Sequence, residues 1–264
     1  MSKRPSRAEL RGSFPVRLAV WGFALIALSV VVALAAGNAT GAFAAIPPLL
    51  VAAVVVAVLL ATGRGLIGAL IVAGLALLAY VVLEIVSGQF TVRHPDSFAD
   101  FVPGLMRAVG GLMAFVGTIT ALRRRRRGAL RPSGKNERRL LRAGTGALVA
   151  VAVVSAVLTY TGNSDADAPP GALVVETQSD HFEPSEIRAD AGETLQVFIK
   201  NTDSYAHTFT IDELDVDEYV GPRSERLVSF RVPSQPAQRF ELWCAVTGHE
   251  NMTGTLIVSA FVPF

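Results

Sequence analysis

Cys244-Ala-Val-Thr-Gly-His249-Glu-Asn-Met252, followed by Thr253-Gly-Thr-Leu-Ile-Val258, is the stretch that decides the fold of the C-terminal third of this 264-residue chain. Leu242 and Trp243 read as the end of a strand with Cys244 at its tip, and Gly254–Val258 reads as the next strand. Cys244, His249 and Met252 therefore share one tight loop. A second imidazole stands upstream in Asn201-Thr-Asp203-Ser-Tyr-Ala-His207-Thr-Phe209. One thiolate, two imidazoles and a thioether suit copper: soft sulfur favours Cu(I), imidazole suits both oxidation states, and a long axial thioether tunes the potential. Cys244 is the only cysteine, so it has no disulfide partner in the chain, and His207 and His249 are two of only four histidines. Any one of these residues alone reads more simply as packing or surface. Their order around one strand–loop–strand pattern makes His207, Cys244, His249 and Met252 the expected ligands of a single copper.

Working outward, short segments rich in Val, Ile, Phe and Thr are predicted as strands near 172–177, 185–189, 194–201, 206–211, 226–232, 238–244 and 254–260, the spacing of a β-sandwich or barrel. Residues 172 to 260 resemble a cupredoxin, the small blue-copper fold. The resemblance rests on Phe182-Glu-Pro184-Ser-Glu-Ile187, on Ala191-Gly192-Glu193, on the Asn201/Asp203/His207/Phe209 stretch and on the ligand loop. Many cupredoxins carry Asn directly after the first histidine, where this chain has Thr208. The resemblance implies a Greek-key sandwich over 172–264 holding one type 1 copper, and one-electron transfer between Cu(I) and Cu(II). The alternative is a domain that binds, buffers or delivers copper without an electron-transfer role. An enzyme is disfavoured. Multicopper oxidases need many more than four histidines, and a binuclear copper centre needs two cysteines.

The remaining two thirds read as an α-helical membrane bundle, residues 1–161. The chain is 51% hydrophobic and only 17% charged, and the apolar residues concentrate in five expected spans at 16–37, 42–62, 65–87, 101–122 and 143–161. Each approaches the ~20 apolar residues that cross a hydrocarbon layer. The first run is longer than the apolar region of a cleaved signal peptide and is expected to stay as a helix. Glu84 and Arg107, near the outer ends of their spans, are expected to pair or to reach the interface. None of the four histidines lies in a span, which excludes a bis-histidine haem inside the bundle.

Basic residues fix the expected topology. Lys3, Arg4, Arg7, Arg11 and Arg17 lie before or at the very start of the first span, Arg64 lies between the second and third, and ten (Arg123 to Arg142) lie between the fourth and fifth. The alternate loops carry one, Arg93. The positive-inside rule then places the N-terminus in the cytoplasm and everything after 161 outside, with the plasma membrane as the expected location. The run Arg123–Arg127 is read as a topology determinant facing lipid head groups, not as a nucleic-acid site. The formal charge of +2 conceals an asymmetry, since residues 165–264 hold 17 acidic against six basic residues. Residues 162–171, small and Pro/Gly-punctuated, read as a linker. Asp212-Glu-Leu-Asp-Val-Asp-Glu218 falls in the longest gap between expected strands. It reads as a solvated loop or as a docking face for a basic redox partner.

Overall fold

The structure is a computed structural model and describes residues 12–36, 53–58, 68–69, 71–72, 74–75, 78, 93–161, 166–235, 238–246, 249 and 251–259. Among these, three helices are long and apolar enough to cross a membrane: α1 (Phe14–Ala35), α2 (Phe98–Arg126) and α3 (Lys135–Thr161). That is three where five spans were expected, and the spans expected at 42–62 and 65–87 lie mostly outside the described residues. The chain divides into two compact units. The first holds most of the three helices. The second holds residues 155–264 together with the short segments 36–42 and 94–100.

Small residues let α1 and α2 pack closely. A Cβ built on Gly22 would lie 2.4 Å from both the Ala114 amide nitrogen and the Gly110 carbonyl oxygen. Only glycine allows backbones to approach so near, the pattern expected of helix pairs in lipid. Around that contact Val16, Ala19, Phe23, Ile26, Ala114 and Ala121 form a buried cluster. Helix α2 carries Asp100 in its first turn and Arg123–Arg126 in its last, so its side-chain charges oppose the helix dipole at both ends. At its start the Ser97 hydroxyl donates to the Asp100 carboxylate three residues on, and the Asp100 amide donates to the Ser97 carbonyl. Arg107 donates from Nε to the Pro103 carbonyl, one turn back; its expected partner Glu84 lies outside the described residues. Helix α3 begins at Lys135, eight residues before the expected span. The polar stretch 135–142 is built of good helix formers, but an apolar window does not count them.

The second unit is built on nine strands in two sheets. They are β1 (Leu173–Gln178), β2 (His181–Glu183), β3 (Glu186–Asp190), β4 (Thr194–Asn201), β5 (His207–Ile211), β6 (Val216–Val220), β7 (Glu225–Arg231), β8 (Gln238–Trp243) and β9 (Thr253–Ser259). One sheet has the order β2-β1-β4-β7, the other β3-β9-β8-β5-β6. Pairs β1/β4 and β3/β9 are parallel and the rest antiparallel. Strand alternation puts Leu195, Val197 and Ile199 of β4 and Ile187 and Ala189 of β3 inward. Phe209 of β5 meets Phe182 edge-on at 6.1 Å and Phe230 at 6.5 Å, joining the two sheets at the centre of the core. At the start of β9, a Cβ on Gly254 would lie 2.8 Å from the Ser185 carbonyl oxygen, so the crossing of β9 past that turn requires glycine.

Seven strands were expected, and nine are present among the described residues. β2 is only three residues long. β6 occupies part of the supposed acidic loop: Asp212–Leu214 form a 3₁₀ turn and Val216–Val220 pair with β5. Its acidic side chains hid it, yet Val216 and Val220 point inward and Asp217 accepts a hydrogen bond from Thr210.

Candidate metal centre

The ladder between β5 and β8 pairs at Thr210 and Trp243 alone. Beyond that pair the strands part, and the gap is where His207 and Cys244 meet. Thr208 bridges it. Its Oγ1 accepts from the Ala245 amide at 2.6 Å, and its own amide donates to Cys244 Sγ at 3.3 Å. The hydroxyl thus stands in for a ladder carbonyl at the position where the resemblance led us to expect Asn.

The ligand loop closes on itself through its backbone. The Cys244 amide donates to the Met252 carbonyl at 3.1 Å, the Met252 amide to the His249 carbonyl at 2.8 Å, and the His249 amide to the Val246 carbonyl at 3.0 Å. His207 is delivered by the preceding loop, which the buried Asn201 braces. Asn201 Nδ2 donates to the carbonyls of Tyr205 and Gly221, each at 2.8 Å, and its Oδ1 accepts from the Asp203 amide. The Ala206 amide, beside His207, donates to Asp100 at 3.4 Å.

The result is a closed cluster. His207 Nδ1 lies 3.8 Å and His249 Nδ1 3.6 Å from Cys244 Sγ, and the three donor atoms fall within 4.8 Å of one another. Among the described residues this is the one such group of three. All four expected ligands are buried, with His207 fully enclosed and Cys244, His249 and Met252 each 1% exposed. Tyr205 packs edge-on against both imidazoles at 5.2 and 5.3 Å. The other two histidines serve elsewhere. His181 Nδ1 contacts the Ser179 carbonyl, and His94 stacks on Tyr219 at 3.8 Å.

The electrostatics favour a thiolate. Burial pushes the Cys244 thiol up, but the hydrogen bonds of His207 and His249 outweigh it and bring it down to about 6. Burial pulls His207 down, and the Asp203 carboxylate followed by Cys244 raise it to about 9. Burial pushes Asp203 up, but its hydrogen bond with His207 holds it below the usual carboxylate range. A thiolate with two imidazole nitrogens turned to it is the donor set that a soft, borderline metal needs. These residues fit one copper ion.

Sequence reading missed the surrounding shell. Asp180, Tyr205 and Thr208 all touch the ligands, and no spacing in the sequence ties position 180 to position 249.

Three solved structures to which the chain shows similarity are as follows. Auracyanin from Roseiflexus castenholzii is 14% identical, with 35% of this chain and 99% of that chain covered and a TM-score of 0.30. Auracyanin A from Chloroflexus aurantiacus is 16% identical, with 33% and 98% covered and a TM-score of 0.30. The metal-binding domain of the Cu(I)-exporting P-type ATPase CopA of Streptococcus pneumoniae is 16% identical, with 35% and 91% covered and a TM-score of 0.30. No curated protein sequence matches the chain. Residues 148–258 match the model of the cupredoxin-like domain family.

Proposed function

We propose that the chain is a membrane-tethered one-electron carrier whose cupredoxin-like domain holds a single type 1 copper at His207, Cys244, His249 and Met252, cycling between Cu(I) and Cu(II). The observation that carries this reading is the buried cluster of Cys244 Sγ with the Nδ1 atoms of His207 and His249 at 3.8 and 3.6 Å. Met252 is the axial ligand in this reading. Burial supports a carrier over a delivery protein. Handing copper to an acceptor by ligand exchange needs an accessible ligand, and here none of the four exceeds 1% exposure.

Helices α1, α2 and α3 anchor the domain in lipid, with the basic residues 123–142 on the cytoplasmic side and the copper domain outside. The distribution of Lys and Arg supports that orientation. The redox partner is a protein with a basic docking surface. Asp212, Glu213, Asp215 and Asp217 are exposed, and Asp212 accepts from Trp243 Nε1 at 3.2 Å, next in sequence to Cys244. The acidic face is thereby joined to the ligand strand. Charges so placed speed encounter and make it sensitive to salt.

The test is a titration of the full-length, detergent-purified protein with Cu(II) under non-reducing conditions. One equivalent produces an intense thiolate-to-copper absorption in the visible, and Cys244→Ser abolishes it. A wild-type protein that stays colourless at saturating Cu(II) refutes the assignment.

A further inference from the structure

Both imidazoles offer Nδ1 to the cluster, so each has an outer Nε2 to account for. His207 Nε2 lies 2.9 Å from Asp203 Oδ2. His249 Nε2 lies 3.7 Å from Asp180 Oδ1. The His249 nitrogen is buried and makes no hydrogen bond of ordinary geometry. The Asp180 carboxylate, which also faces the Tyr205 hydroxyl, is the acidic group within ion-pair distance of it.

One element organises both pairs. Ser179 and Asp180 form the two-residue turn between β1 and β2, flanked by the Gln178–His181 pair. Their φ angles are +52° and +60°, as in a type I′ hairpin, where glycine or asparagine is the ordinary choice. Left-handed conformation in non-glycine residues costs roughly 1 kcal/mol or more each. The turn puts Asp180 against His249, and the Ser179 amide donates to Asp203 Oδ1 at 3.2 Å, steadying the carboxylate whose other oxygen meets His207. A strained turn in one sheet therefore reaches both histidines of the other.

We infer that Asp203 and Asp180, coupled through the β1–β2 turn, are positioning residues for His207 and His249 that bias the site toward Cu(II). A carboxylate on the outer nitrogen of a ligating histidine fixes its tautomer and raises its basicity. A more basic donor stabilises the higher charge on the metal, and two carboxylates add to that effect electrostatically. The inference rests on the copper reading above and goes beyond it by assigning the histidines' outer contacts.

The experiment compares full-length Asp203→Asn, Asp180→Asn and Asp180→Gly with the wild type and with Asp190→Asn, an exposed carboxylate at the end of β3. Glycine suits the φ of +60° at 180, so Asp180→Gly removes the carboxylate while easing the turn. The expected result is that the site variants keep one copper and the visible band. Each of them favours Cu(I) over Cu(II) at least tenfold more than the wild type, a rise of about 59 mV for a one-electron couple. Asp190→Asn does not move the potential. In the copper-free protein, the slowly exchanging His207 Nε2 proton signal shifts in Asp203→Asn alone. Site variants that keep the coloured copper with an unchanged potential overturn the inference and leave the copper reading standing. A shift of equal size in Asp190→Asn overturns it as well, reducing the effect to net charge. Wild-type protein that binds no copper overturns both.

Discussion

At the scale of single residues, the cluster is a proton-binding site before it is a metal site. With Cys244 at about 6 and His207 at about 9, the copper-free centre near neutral pH holds a thiolate beside an imidazolium, and the metal must displace one proton. Apparent Cu(II) affinity should therefore rise about tenfold per pH unit between about 6 and 9 and level off above that, because His207 is then already neutral. Below about 6 it should fall more steeply, as the thiol also takes up a proton. Competition titrations against a chelator of known pH dependence check the slope, and a flat profile across that range contradicts the thiolate–imidazolium assignment. Met252 belongs to the same scale. As a weak axial donor it stabilises Cu(II) slightly, so Met252→Leu should keep copper and colour while raising the potential. Thr208→Val replaces a hydroxyl with a methyl and leaves the Ala245 amide without its acceptor. A loss of about 1–3 kcal/mol is expected in thermal or denaturant unfolding of the copper-free protein. The four residues could be proposed from the sequence because their chemistry is rare and three of them are close in sequence, and the structure brings the donor atoms of His207, Cys244 and His249 together. Asp180 could not be proposed in that way, since a carboxylate in a turn looks like any solvated turn residue until the fold brings it against position 249.

At the scale of elements, the strands that sequence patterning found are short runs rich in Val, Ile, Phe and Thr, with strict alternation of burial in β3 and partial alternation in β4. The ones it missed break that pattern for physical reasons. β2 is too short to show a period, and β6 spends its outward positions on Asp217, Glu218 and Tyr219, so only Val216 and Val220 mark it as a strand. β5, expected at 206–211, is buried at every position from His207 to Ile211 and was legible without any alternation of burial. The close passage of β9 over the Ser185 carbonyl gives this scale its own prediction. Gly254→Ala forces a Cβ into a 2.8 Å contact with backbone, and strand β9 must shift. A destabilisation of about 1–3 kcal/mol should follow, read as a lower unfolding midpoint. Unchanged stability would mean that the β3–β9 crossing is looser than described.

At the scale of the whole molecule, the sequence divides by charge and hydropathy into a basic, apolar part and an acidic β domain. That division was legible because each part obeys a different solvent rule. Of the five expected spans, those at 42–62 and 65–87 fall mostly outside the described residues, and the other three correspond to α1, α2 and α3. Helix α3, between residue 134 and the linker, is long and apolar enough to make one crossing. Reporters fused after residue 130 and after residue 264 should thus report opposite sides of the membrane, with 130 cytoplasmic. The same side for both would contradict α3 as a span and remove the basis for placing the copper domain outside. The most direct measurement of the central claim is the combined visible and EPR spectrum of the full-length protein with one equivalent of Cu(II), alongside Cys244→Ser. The account predicts an intense charge-transfer band and a narrow copper hyperfine splitting in the wild type, both absent from the variant. A colourless wild type, or a band that survives the loss of Cys244, would contradict it.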